Sequence, residues 1–367
     1  MSAFSTDDRR FMRRALGVAL RGRGTTAPNP MVGAVVVREG RVVGEGHTQP
    51  PGGAHAEIMA LAAAGEAARG ATVYVTLEPC NGTGRTPPCV DALLAAGVAR
   101  VVYAATDPNP AMQGGAERLA TAGVRAEGGL EAQAALDQNP AFFHRFASGR
   151  PFVTLKLALS LDGAIAGADR SRTWLTGPAA RREVHRQRRD HAAVAVGVGT
   201  AIADDPLLTV RGLPTPQGAP VRVIFDRHGR LPCTGALVRS AREIPVIVAC
   251  LPGSSPALSA LAEAGVSLLP APDLPSQLAA LRAAGVESIY CEGGAALADA
   301  LLADGLVDRL VIFTAPVLLG ADAVRPLQAG VHIPQDATVR HRLVAQRRFG
   351  DDLMAIYDLS RSVHRTR

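Results

Sequence analysis

Four residues in the first third of the chain have the types and spacing of a metal site. His55-Ala56-Glu57 opens a helix-favouring segment, GAHAEIMAL, and Pro79-Cys80 and then Cys89 follow. One imidazole and two thiolates suit zinc and leave its fourth position to water. Zinc brings the pKa of such a water down towards neutrality and makes it a nucleophile. Glu57, two residues past the imidazole, supplies a carboxylate able to carry the water's proton to departing ammonia. Both cysteines fall near helix starts, where backbone N–H groups favour the thiolate. Taken singly, the cysteines read as small buried hydrophobes and His55 as a surface residue. The order His-x-Glu, then Pro-Cys at a strand end, speaks for the site. It is the signature of zinc deaminases that act on nucleobases. Here eight residues, NGTGRTPP, separate the cysteines.

The surrounding pattern supplies the elements that must hold these residues. Residues 7–21 have apolar positions at helical spacing, and MVGAVVVREGRVVGEG (31–46) reads as a β-hairpin about Arg-Glu-Gly. Residues 55–69 read as helix, ATVYVTLEP as a strand stopped by Pro79, and PPCVDALLAAG as a helix with prolines in its first turn. ARVVYAAT, GGAERLATAG and VRAEGG continue as strand, helix and strand. This order implies a sheet with helices on both faces. Residues 130–147 look helical around Pro140, and the turn-like SGRP (148–151) sets a boundary between domains 1–148 and 149–367. The second half is again α/β: strands in PFVTLKLALSLDG, HAAVAVGVGT, VRVIFD, PVIVAC, ESIYCEGG and DRLVIFTAPVLLG, and a helix in AALADALLADG. GVGT (197–200) and EGG (292–294) read as glycine turns at strand ends. GVGTAI lacks the third glycine of the dinucleotide fingerprint, so on pattern alone these are ordinary strand-to-helix turns.

Composition bounds the function. A chain of 367 residues, 47% hydrophobic and 20% charged, fits two soluble globular domains. There is no apolar run of the ~18 residues that cross a bilayer and no signal-peptide core, so a cytoplasmic enzyme without membrane contact is expected. Net charge +6 points to an anionic partner, and a phosphorylated small molecule fits better than nucleic acid. Aromatics are only 4%, and no basic–aromatic interleaving offers a stacking surface. Among 39 cationic side chains there is one lysine, Lys156. In a chain biased to arginine, a compact ammonium kept on a strand marks Lys156 as a candidate catalytic residue, set against substrate or a carboxylate.

Several strings together resemble the bifunctional deaminase/reductase family of riboflavin biosynthesis. LEPCNGTGRTPPC, APNPMVGAVVV, GEGHTQPPGGAHAE and DPNP carry the likeness over residues 5–147. LKLALSLDG, WLTG, GVGTAIADDPLLTVR and CEGGAAL carry it through the second half. The resemblance implies an α/β fold: a cytidine-deaminase-like α/β/α domain, then a dihydrofolate-reductase-like α/β domain using NADPH. It implies a phosphorylated pyrimidine substrate, deaminated and then reduced from ribosyl to ribityl, and a homo-oligomer. A homologue with one degenerate domain and a nucleic-acid base deaminase stand as alternatives.

The resemblance also implies roles. His55, Cys80 and Cys89 would bind zinc, Glu57 would move the proton, and Asn29 would hydrogen-bond the pyrimidine. Ala158, Trp174, Thr200, Asp204, Gly294, Ala295, Ala296, Leu297, Ala298, Asp299 and Ala300 would contact NADPH. Leu208, Arg211 and Glu292 would contact substrate, together with Ser171 or Arg172. The chain departs from the family where Asn81-Gly82-Thr83 replaces Ser-His-His, where Ala54 replaces proline, and across residues 169–173. A flexible Gly82 is expected to loosen the pocket.

Overall fold

The computed structural model describes residues 4–169, 174–326 and 340–360. The chain forms two compact units, Met1–Ala147 and Ser148–Arg367.

In the first unit, α1 (Thr6–Ala19) begins at a capping box: Ser5 accepts from the Asp8 N–H, and Asp8 accepts from the Ser5 N–H. The hairpin of β1 (Gly33–Arg38) and β2 (Arg41–His47) turns on Glu39-Gly40, both with positive φ. Then come α2 (Ala56–Ala64), β3 (Thr72–Leu77), α3 (Cys89–Ala95), β4 (Arg100–Ala105), α4 (Gly115–Thr121), β5 (Arg125–Gly128), α5 (Ala132–Gln138) and α6 (Pro140–Ala147). The sheet order is β2-β1-β3-β4-β5, with β3, β4 and β5 parallel. One apolar cluster, including Ala60, Val73, Val90 and Leu93, packs α2 and α3 on one face. Another, including Met12, Leu16, Tyr74 and Ala135, packs α1 and α5 on the other.

Two boundaries differ from the sequence reading. Pro87 and Pro88 precede α3 and do not form its first turn; Pro88 is the N-cap, with extended ψ, and Cys89 begins the helix. Residues 130–147 form two helices, because Asn139 leaves the helical region and Pro140, lacking an N–H, restarts the chain as a first-turn residue.

The second unit comprises β6 (Phe152–Leu159), α7 (Pro178–Arg189), β7 (Ala193–Gly197), α8 (Val198–Asp204), β8 (Val221–Phe225), α9 (Ala236–Arg239), β9 (Val246–Cys250), α10 (Pro256–Glu263), β10 (Ser267–Pro270), α11 (Leu274–Ala283), β11 (Ser288–Cys291), α12 (Ala295–Ala303), β12 (Arg309–Thr314), β13 (Arg342–Phe349) and β14 (Asp352–Asp358). They build one nine-stranded sheet, β10-β9-β8-β7-β11-β6-β12-β14-β13. Strands β10 through β12 run parallel, and β14 and β13 add antiparallel. Parallel strands covered on both faces carry continuous apolar runs, as VAV in β7 and SIYC in β11 do. GVGT is a helix start: Gly197 caps α8, and Gly199 and Thr200 lie in its first turn.

A buried ion pair fastens α1 to the first sheet. Asp8 accepts from Arg100 at 2.6 Å and from the Tyr74 hydroxyl at 2.7 Å. Burial alone would raise the Asp8 pKa, but the Arg100, Tyr74 and Ser5 hydrogen bonds hold it well below the carboxylate range. A depressed carboxylate stabilises the fold above its unfolded pKa, and the gain is lost as pH falls. Asp8→Asn is therefore expected to cost on the order of 3 kcal/mol at pH 7. In urea titrations the gap from the parent chain should narrow below about pH 4; a pH-independent gap would contradict the assignment.

Candidate active sites

Three short segments of the first unit converge. His55 is the N-cap of α2, Cys80 follows β3, and Cys89 is the first residue of α3. The imidazole Nδ1 lies 3.2 Å from Cys89 Sγ and 3.6 Å from Cys80 Sγ. The candidate ligand atoms all lie within 4.8 Å of one another. Zinc bonds of about 2.0 Å to nitrogen and 2.3 Å to sulfur, at tetrahedral angles, put neighbouring ligand atoms roughly 3.5 Å apart. The side chains present fit that ion.

The electrostatics agree. Cys80 accepts the Cys89 N–H at 3.3 Å. Hydrogen bonds from Cys89 and His55 outweigh its burial and lower its pKa to about 4. Cys89 is pushed up, first by its bond to Cys80 and then by burial. The pair thus releases one proton readily and holds the other, the arrangement a cation completes by displacing it. Glu57 is only 4% exposed; burial first, then the Cys80 charge, raises its pKa to about 7.

A cavity of ≈ 360 Å³ opens onto this cluster. Asn29 lines it with His55, Glu57 and Cys80, as expected. So do Thr86, Glu78, Asp107 and Asn109, which the sequence reading did not single out. The Thr86 hydroxyl is 3.5 Å from His55 Nε2. Glu78 accepts the N–H of Asp107 at 3.4 Å and of Ala116 at 3.2 Å, pinning both ends of the loop between β4 and α4. Burial raises Asp107 to about 6. The string DPNP held the only signal for these loop residues; nothing in it separates lining from turn chemistry.

Gly82 behaves contrary to the expectation of looseness. A Cβ there would fall 2.0 Å from the Ala111 carbonyl oxygen and 3.0 Å from Met112 Sδ. The Asn81 N–H donates to the Met112 carbonyl at 2.9 Å, and Arg118 donates to Asn81 Oδ1 at 3.1 Å. The Asn81-Gly82-Thr83 segment is docked on the neighbouring loop.

In the second unit Lys156 and Ala158 lie in the second half of β6, Thr200 follows β7, and Glu292 and Gly294 follow β11, the sheet end at which open parallel sheets bind ligands. Cys291 pairs with Leu155, so Glu292 follows beside Lys156. Arg188 of α7 clamps Glu292 with two hydrogen bonds, one of 2.8 Å from Nη2 to Oε2, and donates to the Thr209 carbonyl at 2.7 Å. Burial alone would raise Glu292, but Arg188 and then Lys156 hold it low and ionised. Burial lowers Lys156, opposed by Glu292 and reinforced by Arg188. The Arg211 N–H donates to His185 Nδ1 at 3.2 Å. Arg188 and His185 went unnoticed in an arginine-rich helix, RREVHRQRR, that offers no contrast between one arginine and the next.

Gly293 and Gly294 have φ of +82° and +100°, and a Cβ on Gly294 would meet Thr200 Oγ1 at 2.5 Å. Bare backbone thus lies at the N-terminus of α12 beside the start of α8, with open space at Gly199. That surface fits the diphosphate of a dinucleotide. Ala295, Ala296, Asp299 and Ala300 lie in the first turns of α12, whereas Leu297 and Ala298 are buried in the core. Asp204 ends α8, and Ala158 stands near the end of β6. Trp174 is 59% exposed, with the Arg181 guanidinium 5.1 Å from its ring centre. The Leu208 side chain is packed in the core, its backbone at φ +53°. Ser171 and Arg172 lie outside the described residues.

A zinc site in a deaminase-like unit, followed by a nucleotide-binding α/β unit, defines a deaminase joined to a reductase, and comparison with known proteins bears this out. Residues 5–105 match the cytidine and deoxycytidylate deaminase zinc-binding region, and residues 151–355 match the RibD C-terminal domain. The chain is 41% identical over 354 residues to the riboflavin biosynthesis protein RibD of Aquifex aeolicus, covering 95% of this chain and 98% of that one. With the Escherichia coli protein of the same name it shares 41% over 344 residues, 86% of this chain and 89% of that one. The structure of Acinetobacter baumannii RibD superposes with TM-score 0.83 at 38% identity, covering 96% and 98%. The Thermotoga maritima deaminase/reductase superposes with TM-score 0.81 at 32%, with the same coverage. The chain belongs to the RibD family and is a bifunctional deaminase and reductase of riboflavin biosynthesis.

Because the loops interlock at Gly82, Gly82→Ala must push Ala111 away. Deaminase kcat/KM is expected to fall at least tenfold, the scale of a misplaced pocket wall, with reductase turnover unchanged. Parent-like deamination would show that the contact does not shape the pocket.

Proposed function

We propose that residues 1–148 deaminate a phosphorylated diaminopyrimidinone ribosylamine and that residues 149–367 then reduce its ribosyl chain to ribityl. The reading is carried by the convergence of His55, Cys80 and Cys89 beside buried Glu57 in one cavity.

His55, Cys80 and Cys89 would hold zinc, which when bound supplies a Lewis acid that acidifies water. Glu57 takes a proton from the attacking water and passes it to the amino group. A C–O bond forms, the C–N bond breaks and ammonia leaves. A carboxyl raised by burial suits both halves of that transfer, being neither a strong acid nor always protonated near neutral pH. Asn29 at the cavity wall offers amide donors and an acceptor to the pyrimidine edge.

NADPH, when bound, supplies the hydride for the second step. Gly293, Gly294 and the first turn of α12 would receive its diphosphate, and Trp174, Thr200, Asp204 and Ala158 its remaining parts. Lys156 would present an ammonium beside Glu292 and supply the proton to the opening ribosyl oxygen; its neighbourhood to the carboxylate supports the reading. Arg211, exposed on the loop after α8, suits a phosphate, and the Leu208 backbone and Ser171 or Arg172 would complete the substrate contacts. A homo-oligomer and a cytoplasmic setting follow from the family resemblance. No helix among the described residues is long and apolar enough to cross a membrane.

Two substitutions test the halves separately. Glu57→Gln should keep about one zinc per chain by elemental analysis while ammonia release drops ~10²-fold or more; undiminished release would remove Glu57 from the mechanism. Lys156→Arg should slow NADPH oxidation on the deaminated substrate and leave ammonia release alone, and equal effects on both would defeat the assignment.

A further inference from the structure

The segment between α5 and α6 reaches back 108 residues to grip the loop that carries Asn29. Asn139 Oδ1 accepts the Met31 N–H at 2.7 Å, and Asn139 Nδ2 donates to the Met31 carbonyl at 2.9 Å. One side-chain amide thereby satisfies both backbone groups of Met31, as a neighbouring strand would. Six residues on, Arg145 Nη1 donates to the Pro28 carbonyl at 3.4 Å. The Asn29-Pro30 step is therefore held from both ends by the same short segment.

Pro28 and Pro30 have no N–H, so this stretch cannot ladder with a strand, and β1 begins only at Gly33. The loop's local bonds include Asn29 N–H to the Thr26 carbonyl at 2.8 Å and the Thr25 N–H and hydroxyl to the Gly22 carbonyl at 3.1 and 3.0 Å, and Val32 beyond it exchanges bonds with Thr48. Phe142 and Arg145 of α6 also line the cavity with Asn29, and the guanidinium lies 4.8 Å from the Phe146 ring centre. Asn139 itself is fixed as the break between α5 and α6, with its carbonyl accepting the Phe143 N–H at 3.2 Å. These residues lie beyond 5–105, the stretch matched by the zinc-binding region.

We infer that Asn139 is a positioning residue for deamination, fixing the Asn29 amide against the pyrimidine by clamping Met31. The inference rests on the reading of Asn29 as a base contact. It acts on substrate alignment and not on the metal, since the residues that would hold zinc lie on other segments.

The test is a double-mutant cycle on the full-length zinc-loaded enzyme, with Asn29→Ala, Asn139→Ala and the pair. Asn139→Asp, which keeps the acceptor and loses the donor, serves as second variant should Asn139→Ala not fold. Asn139→Ala is expected to lower deaminase kcat/KM roughly tenfold to a hundredfold, the scale of a small misalignment. Zinc content and NADPH oxidation on the deaminated substrate should stay at parent levels. In the Asn29→Ala background the same change should cost under about twofold, because residues acting through one another are not additive. Additive losses, parent-like deamination in both Asn139 variants, or loss of zinc in step with activity would overturn the proposal. If Asn29→Ala alone leaves deamination intact, the underlying role of Asn29 fails instead.

Discussion

The first unit is organised around bringing an imidazole and two thiols within 4.8 Å of one another from three separate segments. Side chains so close, and so buried, repel or misalign unless the backbone fixes each origin. The parallel pair β3–β4 does this. The end of β3 delivers Cys80, α3 returns over the sheet from Cys89, and α2 presents His55 at its N-terminus. The Cys89 N–H then donates to Cys80 Sγ. The donor is a group at the helix start with no partner inside the helix, so the bond satisfies the helix and favours a thiolate together. Beyond the ligands, Glu78 and Asn81 tie the end of β3 to the loop after β4. The segment that supplies a ligand also sets the cavity wall.

The second unit solves a different problem, keeping charges at the end of a buried parallel sheet. Lys156, Arg188 and Glu292 leave water at a cost that unpaired ions cannot meet. The two-point clamp of Arg188 on Glu292 fixes the carboxylate geometry and keeps it ionised. Burial lowers the Lys156 pKa and Arg188 adds to that, while the Glu292 carboxylate works against both. Arg188 also holds the Thr209 carbonyl, on the loop that carries Leu208 and Arg211. One guanidinium thus joins the acid to the loop proposed to meet the substrate. An arginine fork does this where a lysine could not.

The candidate metal residues were legible because zinc demands few residue types at restricted spacing, and His55, Cys80 and Cys89 met that demand, with Glu57 two residues past the imidazole. The strands were legible where apolar runs were unbroken, as in β7 and β11. The terminal pair β13 and β14 was not read: β13, RLVAQRRF, is an exposed edge strand without an apolar face to announce it. Arg188 was hidden for a compositional reason, because charge is informative only against a background that lacks it. Lys156 stood out by the same logic reversed. GVGT, read as a strand-to-helix turn, is one: β7 ends at Gly197, which caps α8.

Gly82 shows how far a residue's effect depends on its neighbours. By type, glycine adds backbone freedom to a loop. In place, it removes the Cβ that would keep the 80–88 and 107–112 loops apart, so the loops close on each other. The Asn81 amide N–H then finds the Met112 carbonyl, and its side chain meets Arg118. The Asn-Gly-Thr tip thus closes by backbone contact, and the cavity keeps a defined wall. The ligand geometry behind that wall is unaffected, since Cys80 and Cys89 are anchored by β3 and α3 and not by the tip between them.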